Sequence, residues 1–255
     1  MIKSNKIYIY GKHALTEALT HAPGVVDKVS IAKGNKDGAL QSAVKKAGIK
    51  VSPLGSDKKS KNTGGLSALR GQAHQGVIGR ISLNKLIQPY DEFINNIEIT
   101  PDTSLLLLGE IEDPHNVGAI IRSAAAFGVS GVLIPQHKQA PVTGTVIKVS
   151  AGMAFRIPLV EIGNINMVVR DLKDKGFWIY GLDGESKHSL SDEVFDKPSV
   201  FILGNEAKGI RQKISELCDT LISIPISSRC ESLNVAASTA VTLYAWSSQH
   251  TKVIH

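Results

Sequence analysis

From Ser104 onward, short apolar runs alternate with stretches of helical period, and this constrains the fold more than any other feature. The runs lie near 104–109, 131–135, 157–160, 177–181, 199–204 and 221–225, and the helical stretches near 114–127, 143–151, 165–175, 207–217 and 233–247. Strands that alternate with helices pair in parallel, and the helices cover both faces of the sheet they make. The best punctuated unit of the series is 109–128. Leu105 to Leu108 reads as a buried strand end, Asp113 as a helix N-cap, Pro114 as the first helical residue and Gly128 as the left-handed residue past the helix end. Between these signals stand Asn116 and Arg122, two polar residues that the helix does not need. A strand, a polar loop and a helix mouth place a site at the carboxyl edge of a sheet.

The first 80 residues differ in charge. They carry 14 Lys and Arg against 4 Asp and Glu, while residues 81–255 carry 15 against 19. A basic unit therefore precedes a mildly acidic one, and concentrated positive charge attracts a polyanion such as nucleic acid. Its pattern is strand 6–10, helix 11–19, strand 25–32, helix 39–47, strand 49–51 and a closing strand 76–81, a small α/β unit. The Pro, Gly, Ser and Lys stretch from Ser52 to Gly65 reads as a loop, and its Lys58, Lys59 and Lys61 suit RNA phosphates. Aromatic residues are sparse here, so base stacking is not the obvious mode. Residues 1–81 are expected to form a substrate-binding domain, 82–102, polar with Pro89 and Pro101, a linker, and 103–255 a second domain.

Several classes are disfavoured. With 255 residues, 42% of them hydrophobic, the chain can bury a real core. The two cysteines, Cys218 and Cys230, make no disulfide framework, and neither they nor the eight histidines have metal-ligand spacing, so no metal is expected. The opening segment lacks an apolar signal core, and no run approaches the roughly 18 apolar residues of a membrane span, so the expectation is a cytoplasmic protein without a membrane partner. No Gly-x-Gly occurs, which removes the dinucleotide fingerprint. The loop Gly204 to Gly209 has phosphate-loop spacing, but Ile210 and Arg211 follow it and Glu206 would repel phosphate.

Three strand-following segments read together: Asn116-x5-Arg122, Leu203-Gly204-x-Glu206-x2-Gly209, and Ile224-Pro225 followed by Ser232-Leu233-Asn234-Val235. In order and spacing they resemble the three motifs of the SpoU (TrmH-type) RNA ribose 2'-O-methyltransferases of the SPOUT superfamily, over about residues 104–245. Tyr10-Gly11-x-His13-Ala14 and His74-Gln75-Gly76-Val77 are similar to the N-terminal domain of one branch, the RlmB-type 23S rRNA guanosine methyltransferases. Ala207, Ile226 and Ala236 depart from the usual Gly, Met and Ser. The resemblance implies an α/β methyltransferase domain with a deep trefoil knot, a small N-terminal domain like ribosomal protein L30e, S-adenosylmethionine as cofactor, a homodimer formed through the methyltransferase domain, and a guanosine of 23S rRNA or its precursor as substrate. Periodicity shows no knot, and the general rule against threading opposes one. The resemblance further places the cofactor on Gly204, where glycine allows close approach, and on Ile224 and Leu233, which would otherwise read as core packing.

Methyl transfer to a 2'-OH needs the hydroxyl positioned and its developing charge stabilised. Two roles fit Arg122: stabilising the alkoxide while clamping a phosphate, or, in an unusual environment, taking the proton. A plain surface arginine would instead pair with Glu110 or Asp113. Asn116 orients Arg122 or the substrate, or only caps the helix. Gly118, one turn before Arg122, leaves a bare face for the ribose. Glu206 orients the nucleophile or favours a helix N-terminus. Ser232 and Asn234 are catalytic, caps, or both. The last helix is apolar almost all round and is expected to be buried in the core or against a second chain. Alternatives are a tRNA or a different rRNA nucleotide as substrate, and, in another class, a non-catalytic RNA-binding ribosome-assembly protein. A small-molecule enzyme leaves the basic unit unexplained.

Overall fold

The structure, a computed structural model, describes residues 6–34, 37–54 and 76–254. Lys58, Lys59, Lys61, His74 and Gln75 lie outside them. The contacts divide the chain into two compact units. One is Met1–Ile87 with Val142–Arg156, and the other is Gln88–Pro141 with Ile157–His255.

The first unit runs β1 (Lys6–Tyr10), α1 (Lys12–His21), β2 (Val26–Ile31), α2 (Gly38–Lys46), β3 (Val51–Pro53), β4 (Val77–Ser82) and α3 (Leu83–Leu86). Its four-stranded sheet has the order β1-β4-β2-β3, antiparallel except for β2 with β3. Asp37 caps α2 by accepting from the Leu40 N–H at 3.1 Å, and Ile9, Leu15, Val29 and Ile81 are fully buried. The segment Val142–Arg156, far along the sequence, completes this unit. The space where a Cβ on Gly152 would stand is filled by the Glu17 side chain. Arg156 binds that same Glu17 in a fork, Nε to Oε2 at 2.6 Å and Nη2 to Oε1 at 3.1 Å. The fork and the field of the guanidinium hold the Glu17 carboxyl below its ordinary pKa, against the opposing effect of burial.

The second unit carries β5 (Ile87–Pro89), α4 (Tyr90–Asn96), β6 (Ser104–Leu108), α5 (Pro114–Ala126) and β7 (Gly131–Pro135). After α6 (Gly144–Val149), which packs in the first unit, follow β8 (Leu159–Ile162), α7 (Ile165–Asp174), β9 (Trp178–Leu182), β10 (Ser199–Leu203), α8 (Gln212–Ser215), β11 (Thr220–Ile222) and α9 (Val235–Gln249). The sheet order is β11-β9-β10-β6-β7-β8-β5, and the registered pairs from β6 to β11 are all parallel. Leu105 to Leu108 are all fully buried, so both faces of β6 are covered, as its unbroken apolar run requires. One face packs Leu105, Leu107, Val160 and Ile202 against Phe93, Val169 and Leu172. Each such burial stabilises by about 1.5–3 kcal/mol.

Two stretches differ from the sequence reading. Residues 82–102, expected as a linker, hold α3, the edge strand β5 and α4, whose Phe93 and Ile94 are buried in the core. The helix expected over 207–217 is confined to Gln212–Ser215, because Asn205 and Gly209 pair across a tight turn and take the backbone out of helical geometry. No helix among the described residues is long and apolar enough to cross a membrane, and none of their His, Cys, Asp and Glu groupings could hold a metal.

Candidate active site

The order reverses direction between β10 and β6, whose carboxyl ends lie side by side with Leu203 opposite Leu108. Crevices of parallel sheets form at such reversals. The approach is close: a Cβ on Gly109 would stand 1.9 Å from the Leu203 carbonyl oxygen, and one on Gly204 would stand 2.3 Å from the Gly209 carbonyl carbon. Only glycine fits either position. For Gly204 the close neighbour is the returning backbone of its own loop.

Three loops meet there. Asn234 is the N-cap of α9, its Oδ1 accepting from the N–H groups of Ala236 and Ala237 at 2.9 and 3.4 Å. Its amide nitrogen donates to Asn116 Oδ1 at 3.0 Å. The Asn116 amide in turn donates to Glu206 Oε1 at 3.1 Å. Glu206 also accepts from the N–H groups of Glu112 (3.3 Å) and Asp113 (3.4 Å) and from the Asn205 amide (3.5 Å). Burial pushes its carboxyl pKa up, but its own N–H, the Asn116 amide and the loop N–H groups outweigh this, and the net shift is downward. Both oxygens are thus occupied by donors. The carboxylate fastens the loop after β6 to the loop after β10.

Other predicted residues stand apart from this network. Arg122 is exposed and makes no hydrogen bond or ion pair among the described residues. The pairing expected of a plain surface arginine does not form: Glu110 is taken by Arg211 (Nη2 to Oε1, 2.7 Å), and Asp113 caps the His115 N–H at 2.8 Å. Gly118, expected to open a gap for the ribose, is buried in α5. Ser232 is exposed and does not cap α9, a role Asn234 holds.

Ile224, Ser232 and Leu233 line a cavity of about 260 Å³, with Ile226, Asp183 and Glu231 also in its wall. This cavity suits the cofactor implied by the sequence. Apolar Ile224, Ile226 and Leu233 provide a surface for an adenine ring, and two carboxylates offer partners for a sulfonium and an ammonium group. Gly204 is not among the lining residues.

Sequence reasoning gave no role in the site to Asn205, Glu110 and Arg211. Asn205 Oδ1 accepts from the Ala207 and Lys208 N–H groups at 3.1 and 3.2 Å, and its amide donates to the Glu110 carbonyl at 2.9 Å. Glu110 sits at φ 67°, a left-handed conformation unusual for a side-chain-bearing residue. The only advance signal for Asn205 was an Asn inside a Gly-flanked loop, which favours such side-chain turns.

The parallel sheet, its reversal and the three joined loops define an α/β fold with a polar site at its switch point. The model of the SpoU rRNA Methylase family matches residues 103–244, and the chain belongs to that family. It is 39% identical to the 23S rRNA (guanosine-2'-O-)-methyltransferase RlmB of Xanthomonas axonopodis pv. citri over 96% of each chain. It is 34% identical to the protein of that name from Haemophilus influenzae, over 92% of this chain and 95% of the relative. Among solved structures, the SpoU methyltransferase AviRb from Streptomyces viridochromogenes in complex with the cofactor AdoMet superposes with a TM-score of 0.79 at 20% identity, covering 97% of this chain and 92% of that one. At that identity the likeness establishes the fold.

Proposed function

We propose that this protein transfers the methyl group of S-adenosylmethionine to the ribose 2'-OH of a guanosine in 23S ribosomal RNA. The observation that carries the reading is the hydrogen-bonded line Asn234–Asn116–Glu206, which joins the three motif loops at the sheet reversal. The names of the RlmB relatives support the substrate. A ribosome-assembly protein without catalysis has no need of this polar line beside a cofactor-sized cavity.

S-adenosylmethionine supplies an electrophilic methyl group when bound. Ile224 and Leu233 would hold its adenosine, and Gly204 would let its own loop turn tightly at the sheet edge. The ribose 2'-oxygen would take up that methyl group, and its proton would pass to solvent water. Arg122, unpaired among the described residues, is free to meet the developing alkoxide and an adjacent phosphate. Asn116 and Glu206 position the loops, since the lone pairs of Glu206 are committed to donors. Ser232, in the cavity wall, stands between cofactor and substrate. The basic N-terminal region, with Lys58, Lys59 and Lys61, takes the flanking RNA and has an L30e-like form.

The methyltransferase domain carries the trefoil knot of its family and forms a homodimer in the cytoplasm. Exposed Val241 and Tyr244 on α9 support a second copy packing on that helix. The test is mapping 2'-O-methyl positions in 23S rRNA from cells with and without this protein. A guanosine methylated only in its presence is expected, and an unchanged map refutes the reading.

A further inference from the structure

A second cavity, of about 350 Å³, opens at the carboxyl ends of β6, β7 and β8. It is distinct from the one lined by Ile224 and Leu233, with which it shares no residue. Pro135, Ile165 and Ile214 give it an apolar side, and His137, Arg211 and Lys213 a basic one. Its single acid, Glu110, is bound by Arg211 through Nε (3.1 Å) and Nη2 (2.8 Å), which leaves Nη1 without a hydrogen bond among the described residues. Lys213 is exposed and unpaired among them. An apolar wall facing cationic donors fits a base on one side and a phosphate on the other. Glu110 belongs to both places: its side chain walls this cavity, and its carbonyl is held by Asn205 of the Glu206 loop at 2.9 Å. Its left-handed backbone is the kind of local strain that collects at binding sites.

We propose that this cavity binds a nucleotide of the RNA strand next to the methylated guanosine, its phosphate on Lys213 and Arg211 and its base against Pro135 and Ile214. The assignment rests on the methyltransferase reading and adds to it a second point of contact with the RNA chain beside the target. Glu110 and Asn205 then tie occupation of this cavity to the loop that carries Glu206.

Two variants test it. Lys213→Ala removes a phosphate partner. Gly163→Phe fills the cavity, since Gly163 lines it, a Cβ there meets nothing within 4 Å and its φ is not in the left-handed range. Binding of a fluorescently labelled 23S rRNA fragment is followed by anisotropy at several salt concentrations. Lys213→Ala is expected to weaken binding about tenfold and to reduce the slope of log K against log salt by about 0.7. Gly163→Phe is expected to weaken binding about tenfold at unchanged slope-forming charge. Both should keep the wild-type melting temperature and S-adenosylmethionine binding by calorimetry. RNA affinities within about twofold of wild type for both variants overturn the proposal. If the wild-type protein binds no S-adenosylmethionine, the methyltransferase reading fails, while weakened RNA binding by the two variants still upholds this cavity as an RNA site.

Discussion

The side-chain amide of Asn234 donates to Oδ1 of Asn116 at 3.0 Å, joining residues 118 positions apart. Since Asn234 also caps α9 and Asn116 also binds Glu206, one change in the middle loosens three loops. Asn116→Ala is expected to lower the methylation rate about 100-fold through misplacement of the reacting groups. Its S-adenosylmethionine affinity should fall by a smaller factor, because the loosened loops also carry Gly204 and Leu233. Transfer of labelled methyl to an rRNA fragment measures the rate, and a wild-type rate removes Asn116 from the machinery.

Arg122 is exposed and without a partner among the described residues, so its loss costs the fold little. Arg122→Ala is expected to melt as wild type does and to lose about 100-fold or more in rate. Arg122→Lys should recover little of it, because an ammonium cannot reproduce the planar fork of a guanidinium. Single-turnover kinetics with saturating cofactor isolate the effect. Wild-type turnover in the alanine variant refutes a catalytic role.

The two cysteines should react differently. Burial, with Asp219 nearby, pushes the Cys218 thiol up to about 12. Cys230 is exposed in the wall of the cavity assigned to the cofactor. Iodoacetamide at neutral pH should label Cys230 and spare Cys218, and S-adenosylmethionine should slow the labelling of Cys230. Peptide mass spectrometry reads both sites. Equal labelling with and without the cofactor would place the cofactor elsewhere.

Glu17 gives a pH signature. Its folded-state carboxyl pKa is held below the ordinary 4.5 by Arg156. The stabilisation is therefore fully present above the unfolded pKa and is lost as pH falls through the lowered folded value. Arg156 is partly exposed, so solvent screens the pair and its contribution at neutral pH is modest. Arg156→Ala should lower the melting temperature at about pH 7 and much less at about pH 3. A deficit that is equal at both would show that the ion pair does not stabilise the fold.

Much of this was readable in advance. The strands of the second unit and α5 follow from unbroken apolar runs and from Asp113 and Pro114, which act locally. The convergence of Asn116, Glu206 and Asn234 was legible because each follows a strand, and parallel strands put such loops on one edge. What escaped depends on distant partners or on turns. The Asn205–Gly209 turn overrode a helix-compatible composition at 207–211. Residues 82–102 looked polar because α4 exposes most of its residues, and only Leu83, Phe93 and Ile94 among the hydrophobic residues of the stretch are buried. The pairing of Glu110 with Arg211 spans 101 residues and left no local mark. The helix at 144–149 was expected, but nothing in its own residues says that it packs in the first unit.

That last feature bears on how the chain is made. A ribosome releases residues 1–87 first, yet their unit is finished only by Val142–Arg156. At usual elongation rates the interval between Ile87 and Arg156 is on the order of 3–14 s. During it, Glu17 waits without its arginine and the surface that will receive Gly152 stays bare. The nascent N-terminal unit is thus finished only after β6 and β7 have been synthesised, by a segment that lies inside the stretch matched by the family model, residues 103–244.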